Sequence, residues 1–175
     1  MKLIHNFKSP NFNDRKSNNI EIIVIHYTAL SSISNSLKHL CSKKNKVSSH
    51  YLISQEGKIY SLVSEKKRAW HAGQSYWRGN TDINSISIGI ELDFSPSDIN
   101  NKFTLKLNSA LIFLLTKLIK KYRISNENIL GHSDIAPYRK IDPGKYFPWQ
   151  MLENKKLSYR PQFLNKSEIK NTMKK

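Results

Sequence analysis

Two apolar segments rich in β-branched residues constrain the fold of this 175-residue chain more than any other feature. Residues 21–27 read EIIVIHY, and residues 85–92 read SISIGIEL. Short apolar runs of this composition are typical of strands that are buried on both faces of a sheet. Gly89 interrupts the second run, which indicates a close approach of backbone or ligand at that point.

The segments around these two strands alternate between strand and helix patterns. Residues 50–63 contain two strand-like runs around Gln55-Glu56-Gly57, which predicts a hairpin, and residues 72–85 predict a long loop. Residues 31–43 show helical spacing after possible serine caps, and a longer helix is predicted from a Thr104 cap to Tyr122. A short strand is expected at 129–131. This alternation predicts an α/β fold with a central mixed β-sheet flanked by α-helices.

A single domain is the simplest organisation for a chain of this length. Residues 1–19 are polar and predict an irregular N-terminal lead-in, residues 20–152 hold the predicted domain, and residues 153–175 predict a basic C-terminal tail. The only cysteine, Cys41, excludes an internal disulfide and any CxxC motif. The formal net charge of +16 favours anionic partners, although evenly spread lysines also fit an ordinary solvated surface.

Targeting and membrane signals are weak in this sequence. The start lacks the apolar core of a secretory signal, and the most apolar run, at 110–119, is far shorter than the roughly 20 residues of a membrane span. No membrane span is therefore expected. Nucleic-acid binding is not expected either, because no zinc-finger spacing, RNP-like segment or helix of base-reading residues appears.

Three polar residues near predicted strand ends suggest a metal site. His26 ends the first strand, His132 follows the strand at 129–131, and Asp142 lies ten residues later on a loop stiffened by Pro137 and Pro143. Two histidines and a carboxylate are a ligand set of catalytic zinc, which keeps a fourth position for water. The alternative is that both histidines are core residues bonded to the backbone.

Glu91 and Lys140 are further candidates. Glu91 is a carboxylate in an otherwise apolar strand, and a buried acid is either paired structurally or kept for proton transfer with a raised pKa. Lys140 shares a loop with Asp142, where a cation would suit a developing oxyanion. The alternative for Lys140 is that it is one of many surface lysines.

Taken together, several segments resemble one enzyme family. They read VIHYTAL, VSSHYLI, AWHAGQSYWRG, NSISIGIEL and GHSDIAPYRKIDPGKYFPW, in that order along the chain. This set resembles the zinc-dependent N-acetylmuramoyl-L-alanine amidases of the AmpD and AmiD group, which belong to a superfamily with phage amidases and peptidoglycan recognition proteins. The resemblance runs from about residue 20 to 152, and HYTAL and WRG lean toward the AmiD branch.

The resemblance implies roles for the five candidates. His26, His132 and Asp142 match the family's ligands for one Zn²⁺ per chain. Glu91 matches the acid of the family's IGIE strand, which is expected to act as general base and then as general acid. Lys140 matches the lysine two residues before the ligand aspartate, which is expected to steady the tetrahedral oxyanion.

A second set of residues is implied in substrate binding. Trp70 and His71 match the WHAG segment that lines the family's substrate groove. The full set of expected substrate-binding residues is Tyr27, Trp70, His71, Arg78 and Asn84.

Two neighbouring residues complete what the resemblance implies. His50 matches the histidine of the family's SHYLI strand and is expected to be structural or to support the site from behind. Phage enzymes carry a catalytic tyrosine just before this histidine, where this chain has Ser49. The proton-handling role should therefore fall to Glu91.

The function implied is zinc-dependent hydrolysis of the amide bond between N-acetylmuramic acid, or its 1,6-anhydro form, and L-alanine. Peptidoglycan fragments or muropeptides are the expected partners, in cell-wall turnover or recycling. The alternative is a non-catalytic peptidoglycan-binding module on the same fold. The AmiD branch suggests the cell envelope and the missing signal suggests the cytoplasm, and the sequence does not predict an oligomeric state.

Overall fold

A six-stranded mixed β-sheet forms the centre of the molecule. The structure is a computed structural model, which describes residues 2–97 and 102–160. The strands within these residues are β1 (Leu3–Ile4), β2 (Phe12–Asp14), β3 (Ile22–Tyr27), β4 (Tyr51–Ile53), β5 (Ile59–Ser61), β6 (Lys67–Ala69), β7 (Ser87–Leu92) and β8 (Ile129–Gly131). The order in the large sheet is β1-β5-β4-β7-β3-β8, whereas β2 and β6 form a separate antiparallel pair. Only β4 and β5 run antiparallel within the large sheet, as the predicted hairpin requires.

Two longer helices flank the sheet, and both begin at the predicted caps. The helices of the described residues are α1 (Ile33–Leu40), α2 (Ile83–Ile86), α3 (Leu105–Tyr122), α4 (His132–Ile135) and α5 (Trp149–Asn154). The Ser32 hydroxyl accepts the N–H of Asn35 at the start of α1, and the Thr104 hydroxyl accepts the N–H of Leu107 at the start of α3. These side chains satisfy backbone donors that have no partner inside the helix. The central sheet with flanking helices confirms the predicted fold class.

The two faces of the sheet carry different side chains because successive residues of a strand point in opposite directions. On one face, Ile23 and Ile25 of β3 pack with the leucines of α3 in the main core. On the other face, Ile22 and Val24 pack with residues of α2 and β8. His26 follows Val24 on this second face, at the carboxyl end of the strand.

Strand register places the polar candidates side by side. His26 of β3 is paired with Glu91 of β7, and the two strands are parallel. Parallel neighbours end at the same edge of the sheet, where open α/β sheets bind their ligands. β8 also runs parallel to β3, so His132 enters at this edge from the other side.

The N-terminal segment, residues 1–19, is not the irregular lead-in that was expected. β1 pairs in parallel with β5, and β2 pairs with β6. Such short strands show no hydrophobic alternation of their own, so the segment's polar composition hid them. Their partners come from residues more than fifty positions away, which only the tertiary structure supplies.

Three other boundaries differ from expectation. The strand predicted from residue 85 begins at Ser87, because residues 83–86 form the short helix α2. The loop predicted after β8 opens with the helical turn α4. The basic tail predicted from 153 begins inside α5, and the Arg160 guanidinium packs over the Trp149 ring. Its remaining residues, 161–175, lie outside the described residues.

No helix in the described part of the chain combines the length and the apolar character that a membrane crossing requires.

Candidate active site

Three ligand atoms from β3, α4 and the following loop lie close together. The Nδ1 atom of His26 is 3.0 Å from Nδ1 of His132 and 3.0 Å from Oδ2 of Asp142. The Nδ1 atom of His132 is 3.1 Å from the same carboxylate oxygen. All three side chains are buried. We call this cluster of His26, His132 and Asp142 the ligand triad.

Local backbone contacts bring Asp142 to the two histidines. The Ser133 N–H donates to the Asp142 carbonyl at 2.9 Å, which closes the loop onto the first turn of α4. Gly131, the last residue of β8, lies against Pro143, where an added Cβ atom would come within 2.6 Å of the proline ring. A larger residue at position 131 would therefore displace the loop that carries Asp142.

The spacing of the ligand triad fits a small divalent ion. Tetrahedral zinc with bonds of about 2.0–2.1 Å separates its ligand atoms by roughly 3.3 Å. The three distances in the triad are 3.0, 3.0 and 3.1 Å, so a small outward movement would admit the ion. Two imidazole nitrogens and a carboxylate oxygen are also the donor types that zinc prefers.

The protonation states of the triad suit metal binding as well. Burial lowers the pKa of His26 to about 4, so its imidazole is neutral at pH 7. Burial raises the pKa of Asp142, but the neighbouring imidazoles of His132 and His26 outweigh it and hold that pKa well below its usual range. Metal ligands must be deprotonated. The triad therefore presents a neutral imidazole and a carboxylate without a prior proton release.

Glu91 faces the same space as the ligand triad. Its Oε2 atom is sealed from solvent and has no hydrogen-bond partner within the described residues. Burial, and secondarily the charge of Asp142, raise the pKa of Glu91 to about 8, whereas Lys140 opposes the shift. A carboxyl group with such a pKa can both accept and release a proton near neutrality.

A cleft of about 240 Å³ opens above these groups. The residues that line it include the ligand triad, Glu91, Lys140, Tyr27, Trp70 and His71. The three candidate metal ligands, a carboxyl group with a raised pKa and a lysine side chain therefore line one cleft.

Comparison with known proteins identifies the family. Residues 16–145 match the family model described as N-acetylmuramoyl-L-alanine amidase (Amidase_2). The chain belongs to this amidase family. It is 42% identical over 155 residues to the N-acetylmuramoyl-L-alanine amidase AmiD of Escherichia coli, covering 76% of this chain and 52% of the relative. It is also 42% identical over 106 residues to the 1,6-anhydro-N-acetylmuramyl-L-alanine amidase AmpD of Haemophilus influenzae, covering 60% of this chain and 56% of the relative.

Solved structures of the amidase family share the fold. A complex of Escherichia coli AmiD with anhydro-N-acetylmuramic acid-L-Ala-D-γ-Glu-L-Lys superposes with a TM-score of 0.76 at 39% identity, covering 86% of this chain and 63% of that one. AmpDh3 of Pseudomonas aeruginosa in complex with an anhydromuramic pentapeptide gives 0.75 at 25% identity, covering 97% and 79%. This amidase-family chain spans about half the length of the curated relatives given above.

Two of the residues expected to bind substrate lie outside the cleft of this family member. The Arg78 guanidinium pairs with Glu127 at 2.9 Å and lines a separate groove. Asn84 is buried, and its Oδ1 atom accepts the backbone N–H groups of His71 and Ala72. The structure therefore brings Tyr27, Trp70 and His71 to the cleft, but not Arg78 or Asn84.

His50, which was expected to be structural or to support the site from behind, is buried and does not line the cleft. Its Nδ1 atom accepts the Gly89 N–H at 3.0 Å, and its Nε2 atom lies 3.0 Å from the Lys67 carbonyl oxygen. Burial, and secondarily the charge of Arg15, lower the pKa of His50 to about 3. Its neutral ring joins β7 to β6 and does not contact the ligand triad.

Two arginines of this region were not predicted from the sequence. Arg15, in the N-terminal segment, donates to the carbonyl oxygens of Glu65, Asn84, Ser85 and Ser87. Arg139 donates to the Ala72 carbonyl at 2.8 Å, and that carbonyl also contacts His132. Nothing in the composition separates these two from the other lysines and arginines, because their role depends on contacts distant in sequence.

Proposed function

We propose that this chain is a zinc-dependent N-acetylmuramoyl-L-alanine amidase. Its reaction is hydrolysis of the amide bond between N-acetylmuramic acid, or its 1,6-anhydro form, and L-alanine in peptidoglycan or muropeptides. The observation that carries the proposal is the ligand triad at the floor of a cleft that also holds Glu91 and Lys140. His26, His132 and Asp142 would hold one Zn²⁺.

The bound metal ion and Glu91 would have different roles in amide hydrolysis. A bound zinc ion lowers the pKa of water to about 7 and polarises a carbonyl group. Glu91 accepts the proton of the attacking water as the new C–O bond forms. It then delivers that proton to the nitrogen of L-alanine as the C–N bond breaks, so the carboxylate is regenerated. The raised pKa of Glu91 suits both steps.

Lys140 supports the charge that appears on the carbonyl oxygen. It lines the cleft with Glu91 and Asp142, and its positive charge contributes to the pKa values of Glu91 and His26. A cation already in place when the tetrahedral oxyanion forms stabilises the transition state more than the ground state.

The proposed partner is a muropeptide or a peptidoglycan fragment. Support comes from the ligands named for AmiD and AmpDh3, whose folds this chain shares. Trp70 offers an aromatic ring beside the cleft and is fixed by a bond from its Nε1 to Asn13 at 3.0 Å. We assign Trp70 and Tyr27 to substrate contact.

The deciding experiment is mass spectrometry of products from a defined anhydromuramyl tripeptide. The full chain is stripped with a chelator, divided, and assayed with and without added Zn²⁺. Free tripeptide and anhydro-N-acetylmuramic acid should appear only in the zinc-loaded sample. Binding of the muropeptide without cleavage would identify a non-catalytic binding module instead. Equal cleavage in the chelated sample without added Zn²⁺ would contradict the zinc site.

A further inference from the structure

His71 contacts the ligand triad from behind, through both of its ring nitrogens. Its Nδ1 atom lies 3.1 Å from Nε2 of His26, and its Nε2 atom lies 3.1 Å from Oγ of Ser87. The Ser87 hydroxyl donates onward to the Ile83 carbonyl oxygen at 2.6 Å. Because both nitrogens are engaged within the protein, His71 has no ring nitrogen left for a substrate, although it lines the cleft.

The Ile83 carbonyl, at the end of this row of hydrogen bonds, indicates which atom donates in each of them. The Ile83 carbonyl can only accept, so it takes the single proton of the Ser87 hydroxyl. Ser87 must then accept from His71, which places the ring proton of His71 on Nε2 and leaves Nδ1 with a lone pair. These bonds favour donation from Nε2 of His26 and a lone pair on its Nδ1, the atom of the ligand triad, in competition with the Asp142 carboxylate, which lies 3.0 Å from Nδ1 and favours a proton there.

The second histidine of the triad is oriented by the neighbouring residue. The Nε2 atom of His132 lies 3.0 Å from the Ala72 carbonyl oxygen, which can only accept. This contact favours a proton on Nε2 of His132 and a lone pair on its Nδ1, again in competition with the Asp142 carboxylate at 3.1 Å. Residues 71 and 72 are both held by Asn84, whose Oδ1 atom accepts their backbone N–H groups at 3.1 and 2.8 Å. One short segment thus favours the same tautomer in both ligand histidines.

Close packing leaves the His71 ring little freedom to turn away. A Cβ atom added at Gly89 would lie 2.4 Å from Cγ of His71, so the ring rests directly on the β7 backbone. This contact is the close approach that a glycine inside a strand indicates.

We propose that His71, held by Ser87, is a positioning residue that fixes the Nε2-protonated tautomer of His26 and thereby strengthens zinc binding. A ligating histidine binds best when its other nitrogen donates to a fixed acceptor. His71 supplies that acceptor as a neutral ring, which adds no charge to the buried site. The proposal rests on the zinc site of the proposed function, but it concerns metal affinity and not turnover.

The test compares His71→Phe with His71→Asn in the full chain. Phenylalanine keeps the ring but removes the acceptor, whereas asparagine places an amide oxygen near the position of Nδ1. Zinc affinity is measured by competition with a chromophoric chelator, without substrate. Loss of such a partner typically weakens metal binding about 10–100-fold, so we expect this loss for His71→Phe and a smaller one for His71→Asn.

Ser87→Ala provides a milder variant, with Ser85→Ala as its matched control. Both serines are buried in the same segment, but the structure shows no contact between the Ser85 hydroxyl and His71. Ser87→Ala frees the His71 tautomer without displacing its ring, and should weaken zinc binding, whereas Ser85→Ala should not. This pair decides the question even where His71→Phe does not fold.

A second readout needs neither zinc nor substrate. Nitrogen NMR shifts of labelled histidines in the metal-free protein report which nitrogen carries the proton. His26 should be protonated on Nε2 in the wild type and should gain the Nδ1-protonated form in Ser87→Ala. Unchanged zinc affinity in both His71→Phe and Ser87→Ala, or a wild-type His26 protonated on Nδ1, would overturn the proposal. A wild-type protein that binds no zinc would contradict the proposed function, while the NMR measurement would still test the positioning role.

Discussion

At the scale of single residues, Glu91 could be a structural carboxylate or a group that transfers protons, and its hydrogen bonding distinguishes the two. A structural carboxylate in a strand needs a partner, and Oε2 of Glu91 has none among the described residues. The side chain therefore lies where it costs stability, which is common for groups kept for chemistry.

Glu91→Gln should accordingly lose activity without losing stability. The amide keeps the shape of the side chain but cannot accept a proton from water, so turnover should fall by about 10²–10⁴-fold. Rates and thermal melts on the same zinc-loaded sample check this. A variant that melts at a lower temperature yet keeps wild-type turnover would show that Glu91 is only structural.

Lys140 and Lys145 form a matched pair on one loop. Lys140 lines the cleft, whereas Lys145 is exposed and its ammonium lies 5.0 Å from the centre of the Tyr146 ring. Lys140→Ala should lower kcat by about 10²–10³-fold, the typical loss for one oxyanion donor, with little change in zinc content or muropeptide affinity. Lys145→Ala should stay near wild type in the same assay. Equal, modest losses in both variants would reduce Lys140 to part of the basic surface.

At the scale of elements, Glu65 joins the sheet to the longest helix. Its carboxylate accepts hydrogen bonds from Tyr51 of β4 and from Lys121 and Tyr122 of α3. Burial raises the pKa of Glu65, but these three bonds outweigh it and lower the pKa below the usual value near 4.5. The folded state therefore binds fewer protons here than the unfolded state. The stabilisation is complete above about pH 4.5 and is lost as the pH falls through the lower folded pKa.

Glu65→Gln tests the predicted direction of this pH dependence. At pH 7 the variant should be less stable by about 1.5–3 kcal/mol, the usual contribution of a hydrogen bond to a charged group. The difference from wild type should shrink as the pH falls below 4.5. Chemical denaturation across the pH range measures it. Glu127→Gln, which breaks an exposed pair with Arg78, is the control and should cost less than about 1 kcal/mol at any pH.

Arg15 joins the N-terminal segment to the strands behind the site. Its planar guanidinium serves four carbonyl oxygens, a geometry that a lysine ammonium does not reproduce. Arg15→Lys should therefore lower the free energy of unfolding by at least about 1–3 kcal/mol, the cost of leaving a buried acceptor unpaired. Lys16→Ala removes only an exposed pair at 3.7 Å and should change little. Equal denaturation midpoints for the two variants would contradict this role.

The elements that the sequence predicted correctly carry strong local signals. β3 is a run of buried β-branched residues, and α3 has a capping threonine and an apolar stripe. β1, β2 and α4 have two to four residues each and no periodic pattern. Contacts with residues distant in sequence determine their structure, so the local sequence contains no pattern that would predict them.

The candidate site divides in the same way. The resemblance named His26, His132 and Asp142, and the structure brings these three together. It grouped His71, Arg78 and Asn84 as substrate contacts because motif position does not say which way a side chain points. Only the folded chain shows that Asn84 bonds to backbone and that His71 contacts His26.

At the scale of the whole molecule, the charge of +16 should act on a polymeric substrate more than on a small one. Attraction between a basic surface and an anionic polymer is screened by salt, because the Debye length falls from about 10 Å at 0.1 M to about 3 Å at 1 M. Hydrolysis of insoluble wall material should therefore slow as salt rises, while turnover of a soluble muropeptide changes much less. Parallel salt titrations on the two substrates measure this. If both rates depended on salt in the same way, the salt dependence would arise in the cleft and not from the basic surface.

The distance along the chain between the metal ligands has a consequence for the protein's lifetime. His26 is 106 residues from His132 and 116 from Asp142, so an unfolded chain offers no comparable cluster. An ion that binds only the folded state stabilises it, by about 2.7 kcal/mol at a concentration of 100 times Kd. With the zinc site proposed above, free zinc sets how often the chain opens to proteases as well as whether it turns over substrate. Zinc starvation would then shorten the survival of the molecule itself, and restoring the metal later would recover only the copies that had not yet been degraded.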